Sequence, residues 1–316
     1  MDLVLSHTTA YRFWRSFFGD LSAFAKVRGP RAMGSRVDLT PELREELAAL
    51  GFSFDEGHPL HLLFAESRLR SRVRGVESHV ESRPLPAGSL LRLSANVVIV
   101  SPELCFAQMS EVVPPAREAL VGMEFCGTYA FGPEGLQPDR APLTSAKRLG
   151  EFCATFMGTR SGASQAASAV IDGAASPMEA RLALLLCLPT TRGGYGLPCP
   201  QFNARIELGR AARRIYDVSH CRADLFWPEA KLDVEYDGRE AHDSQAHAVD
   251  VARERALEAQ GVTVMCITFE QVADWEVFDL AAKQIGARLG KYVRIRSAGF
   301  REHGMALRGE LGRTAK

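Results

Sequence analysis

The stretch Lys231-Leu232-Asp233-Val234-Glu235-Tyr236-Asp237-Gly238 places a carboxylate at every second position. In an extended strand alternate side chains share a face, so Asp233, Glu235 and Asp237 point one way and Leu232, Val234 and Tyr236 the other. Asp224 lies in the preceding apolar run, Cys221 to Trp227, where Leu225 and Trp227 alternate to the face opposite the acid. Only Pro228-Glu229-Ala230 separate the two runs, which predicts a hairpin and puts up to four carboxylates on one surface. Like charges this close repel, and the arrangement is tolerable on a solvated face or around a divalent cation. A hard cation such as Mg²⁺ takes a few carboxylate oxygens together with water and substrate phosphate, which suits phosphodiester hydrolysis. The competing reading is an ordinary solvent-facing strand, although acidic residues are poor strand formers and three on one face require a reason.

The surrounding sequence predicts the elements that hold these acids. Ser176-Pro177-Met178-Glu179 opens a helix that is apolar nearly all round to about Leu188. Phe202 to Leu208, Cys221 to Trp227 and Lys231 to Tyr236 read as strands. Ser244 to Gln260 reads as a helix stopped by Gly261, Val262 to Thr268 as a strand, and Val272 to Leu289 as an amphipathic helix. The predicted order is αβββαβα.

Asp224, then Glu235-Tyr236-Asp237-Gly238 with His242, then Asp250-Val251-Ala252-Arg253 and Leu257-Glu258-Ala259-Gln260-Gly261-Val262-Thr263-Val264, resemble the very-short-patch-repair-like endonucleases of the restriction-endonuclease-like superfamily. The likeness covers about 115 residues, from Ser176 to roughly Lys291. It implies an αβββαβ core around a mixed sheet, with Mg²⁺ or Mn²⁺ as cofactor. Asp224 is then the metal-binding aspartate, Glu235 or Asp237 completes the metal site, His242 is a base or a ligand to metal-bound water, and Glu179 is the acid of the first helix. Three departures stand out. Ala223 occupies the place of the usual proline, Asp237 that of the usual lysine, and Arg239 that of a cysteine ligand to the patch-repair enzymes' structural zinc. The missing lysine leaves the cleavage transition state without its usual cation.

Several of these residues have a structural reading as well. Glu179 stands three places after Ser176, as in a capping box. His242 also suits a loop or the cap of the following helix. Asp250 and Arg253 are spaced for an ion pair along one helix face.

Before Ser176 the chain reads as a smaller α+β unit. Ser6 and Thr40-Pro41 open helices, and Leu60 to Phe64, Val73 to Val80, Leu90 to Leu93 and Val97 to Val100 read as strands. Arg68, Arg70, Arg72 and Arg74 alternate and share a face if their segment is extended. They form either a solvated edge that resists aggregation or a phosphate-contacting surface. Arg74-Gly75-Val76 with His79, Pro84-Leu85-Pro86 and Val98 to Pro102 are faintly similar to antitoxins of abortive-infection systems, which implies a protein partner of toxin-antitoxin type.

With 316 residues, the chain is long enough for two cores. The predicted division is 1–148, a helical or flexible connector over 149–175, a nuclease domain over 176–290 and a basic tail over 291–316. The formal net charge of zero gives no overall attraction to nucleic acid, so binding must rest on local patches. Residues 288–316 carry eight basic residues against Glu302 and Glu310, and Arg294 and Arg296 are the predicted phosphate contacts there. The seven scattered cysteines lack a C-x-x-C pair, and most of them read as buried thiols rather than as members of a disulfide framework or a zinc knuckle. No apolar run suits a signal peptide or a membrane span, which predicts a cytoplasmic protein. The expected function is metal-dependent hydrolysis of DNA, with RNA as the alternative substrate, in defence, toxin-antitoxin or repair. The rival is a catalytically decayed regulator that binds nucleic acid or a partner protein.

Overall fold

The computed structural model describes residues 2–27, 33, 39–237, 244–295 and 298–312, without the side chains of 244–248. His242 and Arg296 lie outside the described residues. The chain is of mixed α+β class and divides into two compact units. Unit 1 comprises 1–125 with 130–170, and unit 2 comprises 126–129 with 171–316. Among the described residues no helix is long and apolar enough to cross a membrane.

Unit 1 is built on β1 (Leu3–Leu5), α1 (His7–Ser16), β2 (Lys26–Val27), α2 (Pro41–Ala49), β3 (Leu60–Phe64), β4 (Val76–Val80), β5 (Leu90–Arg92) and β6 (Val97–Val100). It continues through α3 (Pro102–Met109), α4 (Pro115–Cys126), the hairpin β7 (Ala130–Gly132) and β8 (Gly135–Gln137), α5 (Ala146–Phe156) and α6 (Gly162–Ala167). Six strands form a sheet ordered β2-β5-β6-β1-β3-β4, with β1 parallel to β6 and antiparallel to β3. The strands β1, β3 and β6 are buried throughout, as expected of uninterrupted runs of Leu and Val inside a sheet. Trp14 is fully enclosed, and its indole N–H donates to the Val100 carbonyl.

The strand predicted over Val73 to Val80 forms only from Val76, so the arginine-rich segment before it is not part of the sheet. Ser67–Leu69 is a single 3₁₀ turn, and β4 begins only at Val76. The chain must first turn at Gly75, whose φ of 76° is left-handed and whose missing Cβ would approach the Asp55 carbonyl oxygen to 3.3 Å. Arg68, Arg70, Arg72 and Arg74 are nevertheless all exposed. Arg68 pairs with Glu66 and Arg74 with Glu56.

Of the segment read as a connector, 149–170 lies in unit 1 and carries most of α5 and all of α6, while 171–175 lies in unit 2. Ser161 caps α6, and Ala163, Ala166 and Ala167 are buried. Small side chains that look weakly structured in sequence here allow close helix packing.

Unit 2 contains α7 (Pro177–Cys187), β9 (Gln201–Glu207), the short α8 (Arg210–Arg213), β10 (His220–Trp227), β11 (Leu232–Asp237), α9 (Ser244–Glu258) and β12 (Thr263–Thr268). Then come α10 (Phe269–Ala273), α11 (Trp275–Arg288) and α12 (Phe300–Leu311). The four strands are ordered β12-β11-β10-β9, with β11 parallel to β12 and the other neighbours antiparallel. The main elements therefore run α7, β9, β10, β11, α9, β12, the predicted order.

Leu208, Ala212, Cys221, Ala256, Leu257 and Val262 form a core cluster joining α8 and α9 to the sheet. Each large apolar side chain buried this way contributes roughly 1.5–3 kcal/mol. The predicted helix over 272–289 is two helices, because Asp274 has extended backbone and caps α11 by accepting from Val277 N–H. The region read as a basic tail carries α12, whose Phe300, Leu307 and Leu311 are buried. Arg308 covers the rings of Trp275 and Phe278 instead of facing solvent alone.

Candidate functional site: an acidic cleft at the parting of two strands

The predicted hairpin forms, with Leu225 opposite Val234, Phe226 opposite Asp233 and Trp227 opposite Leu232. Its tight connection is made by one 3₁₀ turn over Pro228–Ala230 and a left-handed Lys231 at φ 45°. One step further in this register, Asp224 faces Glu235. The backbone pairing ends there, and the Asp224 carboxylate instead accepts the Tyr236 N–H at 3.0 Å. A side chain thus continues the join between the strands where the ladder stops.

Asp224, Glu235 and Asp237 line one open cleft of about 500 Å³, together with Asp250, Arg253 and Glu254 of α9 and Val264 and Cys266 of β12. Glu179 stands behind them on α7, nearly buried, close enough to raise the Asp224 pKa by its charge. Its Oε2 accepts from Ala175 N–H at 2.9 Å and from Asn203 Nδ2 at 2.8 Å, while its own N–H donates to Ser176 Oγ at 3.1 Å. Ser176 therefore caps α7 as read from sequence, while the Glu179 carboxylate accepts from Ala175 N–H rather than from the Ser176 N–H of a full capping box, and anchors β9 through Asn203.

The electrostatics are those of a crowded acid cluster. Burial, and then the charges of Glu179 and Glu235, push Asp224 up to about 7. Burial chiefly raises Glu179 too, against the bonds it accepts from Ala175 and Asn203. Asp233 is the extreme case: it is fully enclosed, with the Glu235 carboxylate as its neighbour. Burial and the neighbouring Glu235 raise it to about 9, so it carries a proton at neutral pH.

Arg253 supplies the compensating cation. Its Nη1 donates to Glu235 Oε2 at 2.6 Å, while Nη2 donates to Glu235 Oε1 and to the Arg222 carbonyl. Asp233 Oδ2 is 3.9 Å away. Burial works against the guanidinium charge, but Glu235 and Asp233 outweigh it and hold Arg253 above its usual range. The i,i+3 spacing in the sequence suggested pairing with Asp250; the sheet places Glu235 within reach instead. Arg253 is the functional candidate that sequence reasoning undervalued, because its partner lies on another element 18 residues away.

Of the predicted site residues, the fold brings Asp224, Glu235 and Asp237 to one cleft with Glu179 behind it. Asp237 is the most exposed of the four. Oxygen ligands of this kind could hold a hard divalent cation. Among the described residues, however, the two groups that bring three ligand atoms within 4.8 Å of one another are both in unit 1 and centre on His79. Arg70 and Arg72 of unit 1 and Arg294 of unit 2 are exposed. Comparison with protein-family models, with curated proteins and with solved structures finds no match to this chain.

Proposed function

We propose that unit 2 is a divalent-metal-dependent endonuclease domain of the restriction-endonuclease-like kind, hydrolysing phosphodiester bonds of DNA. The observation that carries this reading is the pairing of Asp224 with Glu235 across two strands that part at that point, beside an open cleft. The donor set suits a cation: burial, and then the charges of Glu179 and Glu235, raise the Asp224 pKa to about 7, and a divalent ion would relieve the repulsive part. Asp224 and Glu235 would hold Mg²⁺ or Mn²⁺, with Asp237 at the open side, and water and phosphate oxygens filling the remaining positions. Such an ion supplies charge neutralisation at the phosphate and a more acidic water.

The protein's own groups do the rest. Tyr236 N–H orients the Asp224 carboxylate, and Arg253 fixes the Glu235 carboxylate and brings positive charge to a site that lacks the superfamily's lysine. Glu179 holds α7 to β9 behind the pair. His242 retains its place in the proposal as base or water ligand on the strength of the resemblance alone. Phosphate contacts from Arg70, Arg72 and Arg294 would be independent of sequence and sensitive to salt.

A second reading is favoured by the same ion pair: both Glu235 oxygens are already engaged by Arg253, as in a decayed centre retained by a regulator or antitoxin. Incubation with DNA or RNA and Mg²⁺ or Mn²⁺ separates the two. Cleavage by the wild type that is lost in D224A/E235A supports the nuclease. Equal cleavage by both proteins removes the assignment, and chelator-insensitive DNA binding without cleavage supports the regulator.

A further inference from the structure

Unit 1 gathers His7, His61 and His79 at one edge of its sheet. Parallel strands β3 and β4 are in register with His61 opposite Glu77 and Leu63 opposite His79. Glu77 and His79 are two residues apart, so with His61 they share a face. His61 Nδ1 is 2.9 Å from His79 Nε2. Glu77 places one carboxylate oxygen 3.7 Å from His61 Nε2 and the other 3.9 Å from His79 Nε2. One ligand atom from each of the three lies within 4.8 Å of the others. His7 stacks on the His79 ring with centroids 3.5 Å apart and forms an overlapping group with His79 and Glu111.

The surroundings hold these rings in place. His61 N–H donates to Thr9 Oγ1 at 2.9 Å, His7 N–H donates to Gln108 Oε1 at 3.1 Å, and His7 Nδ1 lies 3.0 Å from Ser6 Oγ. His7 has a φ of 46°, a left-handed conformation that costs a non-glycine residue roughly 1–2 kcal/mol. Such strain persists where the neighbours over-determine it, and it concentrates at functional sites. His7 and His61 are buried, whereas the Glu77 side chain is 53% exposed and leaves a path to solvent.

Hydrogen bonding alone leaves the group incomplete. A neutral proton chain can run from His79 Nε2–H to His61 Nδ1, with His61 Nε2–H directed at Glu77. At 3.7 Å that second link is too long for a hydrogen bond. Two neutral imidazoles and a carboxylate match the ligand preferences of zinc-class divalent ions better than those of Mg²⁺ or Ca²⁺.

We infer that His61, Glu77 and His79 bind a zinc-class divalent metal ion in unit 1, with His7 as a positioning residue stacked on His79. This site is independent of the acidic cleft and of any nuclease activity there.

Full-length protein stripped with chelator is titrated with Co²⁺, whose visible absorption reports its ligands, and then with Zn²⁺ in competition. The wild type and D224N should each show one saturable Co²⁺ spectrum displaced by Zn²⁺, and H61N or H79Q should weaken binding about 10–100-fold. The proposal is overturned if the wild type gives no saturable spectrum or if H79Q binds as the wild type does. Should the histidine variants fail to fold, judged by circular dichroism, E77Q at its exposed position decides. It should lose binding at least about tenfold, and unchanged binding overturns the ligand assignment.

Discussion

The Arg253 guanidinium clasps the Glu235 carboxylate with both terminal nitrogens, and one of them also donates to the Arg222 carbonyl. It ties α9 to β11 and to β10. Replacing Arg253 by Ala leaves the Glu235 carboxylate without its cation, and should destabilise the protein by about 2 kcal/mol, the scale of hydrogen bonds to charged groups. E235Q should recover part of that loss in the R253A background, measured by urea unfolding as a double-variant cycle. Strict additivity of the two changes would show that the clasp contributes no coupling.

Asp224 and Asp233 each contribute to the pH dependence of the metal-free protein's stability. Both folded-state values, about 7 and about 9, lie above the ordinary 3.8. At these two groups the folded state therefore binds more protons than the unfolded state across this range, and their contribution to stability falls as pH rises. The Asp224 contribution is complete below about 3.8 and is lost as pH rises through about 7. D224N should flatten the stability profile between those values, and D233N should flatten its extension toward pH 9. Mn²⁺ binding at the cleft requires ionised Asp224, so affinity should rise about tenfold between pH 6 and pH 8. Calorimetric titration at the two pH values measures this, and a pH-independent affinity would place the ion elsewhere.

Glu179 separates charge from hydrogen bonding. Its Oε2 accepts two bonds, which the amide oxygen of Gln can also accept. E179Q should keep the fold and lower the Asp224 midpoint by removing one repelling charge, read by carboxyl NMR titration. E179A should cost about 1–3 kcal/mol, because Asn203 and the Ala175 N–H lose their acceptor. An unchanged Asp224 midpoint in E179Q would show that the two carboxylates do not interact.

Helix α12 is closely fitted to α11. A Cβ on Gly304 would collide with the Trp275 ring. G304A should therefore destabilise unit 2 by about 1–3 kcal/mol despite the better helix propensity of alanine. Thermal unfolding of the variant checks this, and a gain in stability would mean that the helix does not dock as described.

Local sequence patterns carried much of the site. The period of two in residues 232–237 determined which acids share a face, and the tight Pro228-Glu229-Ala230 connection determined that β10 and β11 pair, so Asp224 and Glu235 were legible as neighbours. Ser176 and Glu179 announced the start of α7 by cap chemistry alone. These features depend on residues adjacent in the chain, where backbone geometry leaves few alternatives.

Other features were set by partners distant in sequence. The apolar pattern suggested a strand from Val73, but the close approach of Gly75 to Asp55 imposes a turn and delays β4 to Val76. The alanine-rich and basic segments acquired helices α6 and α12 because buried surfaces elsewhere accept their small or apolar faces. Sequence alone thus determined the acidic pair and its order of elements. Only the tertiary structure decided that Arg253 would neutralise Glu235, that Asp233 would be fully enclosed, and that His7, His61 and His79 would meet, since each depends on elements whose approach is fixed by packing of the whole unit.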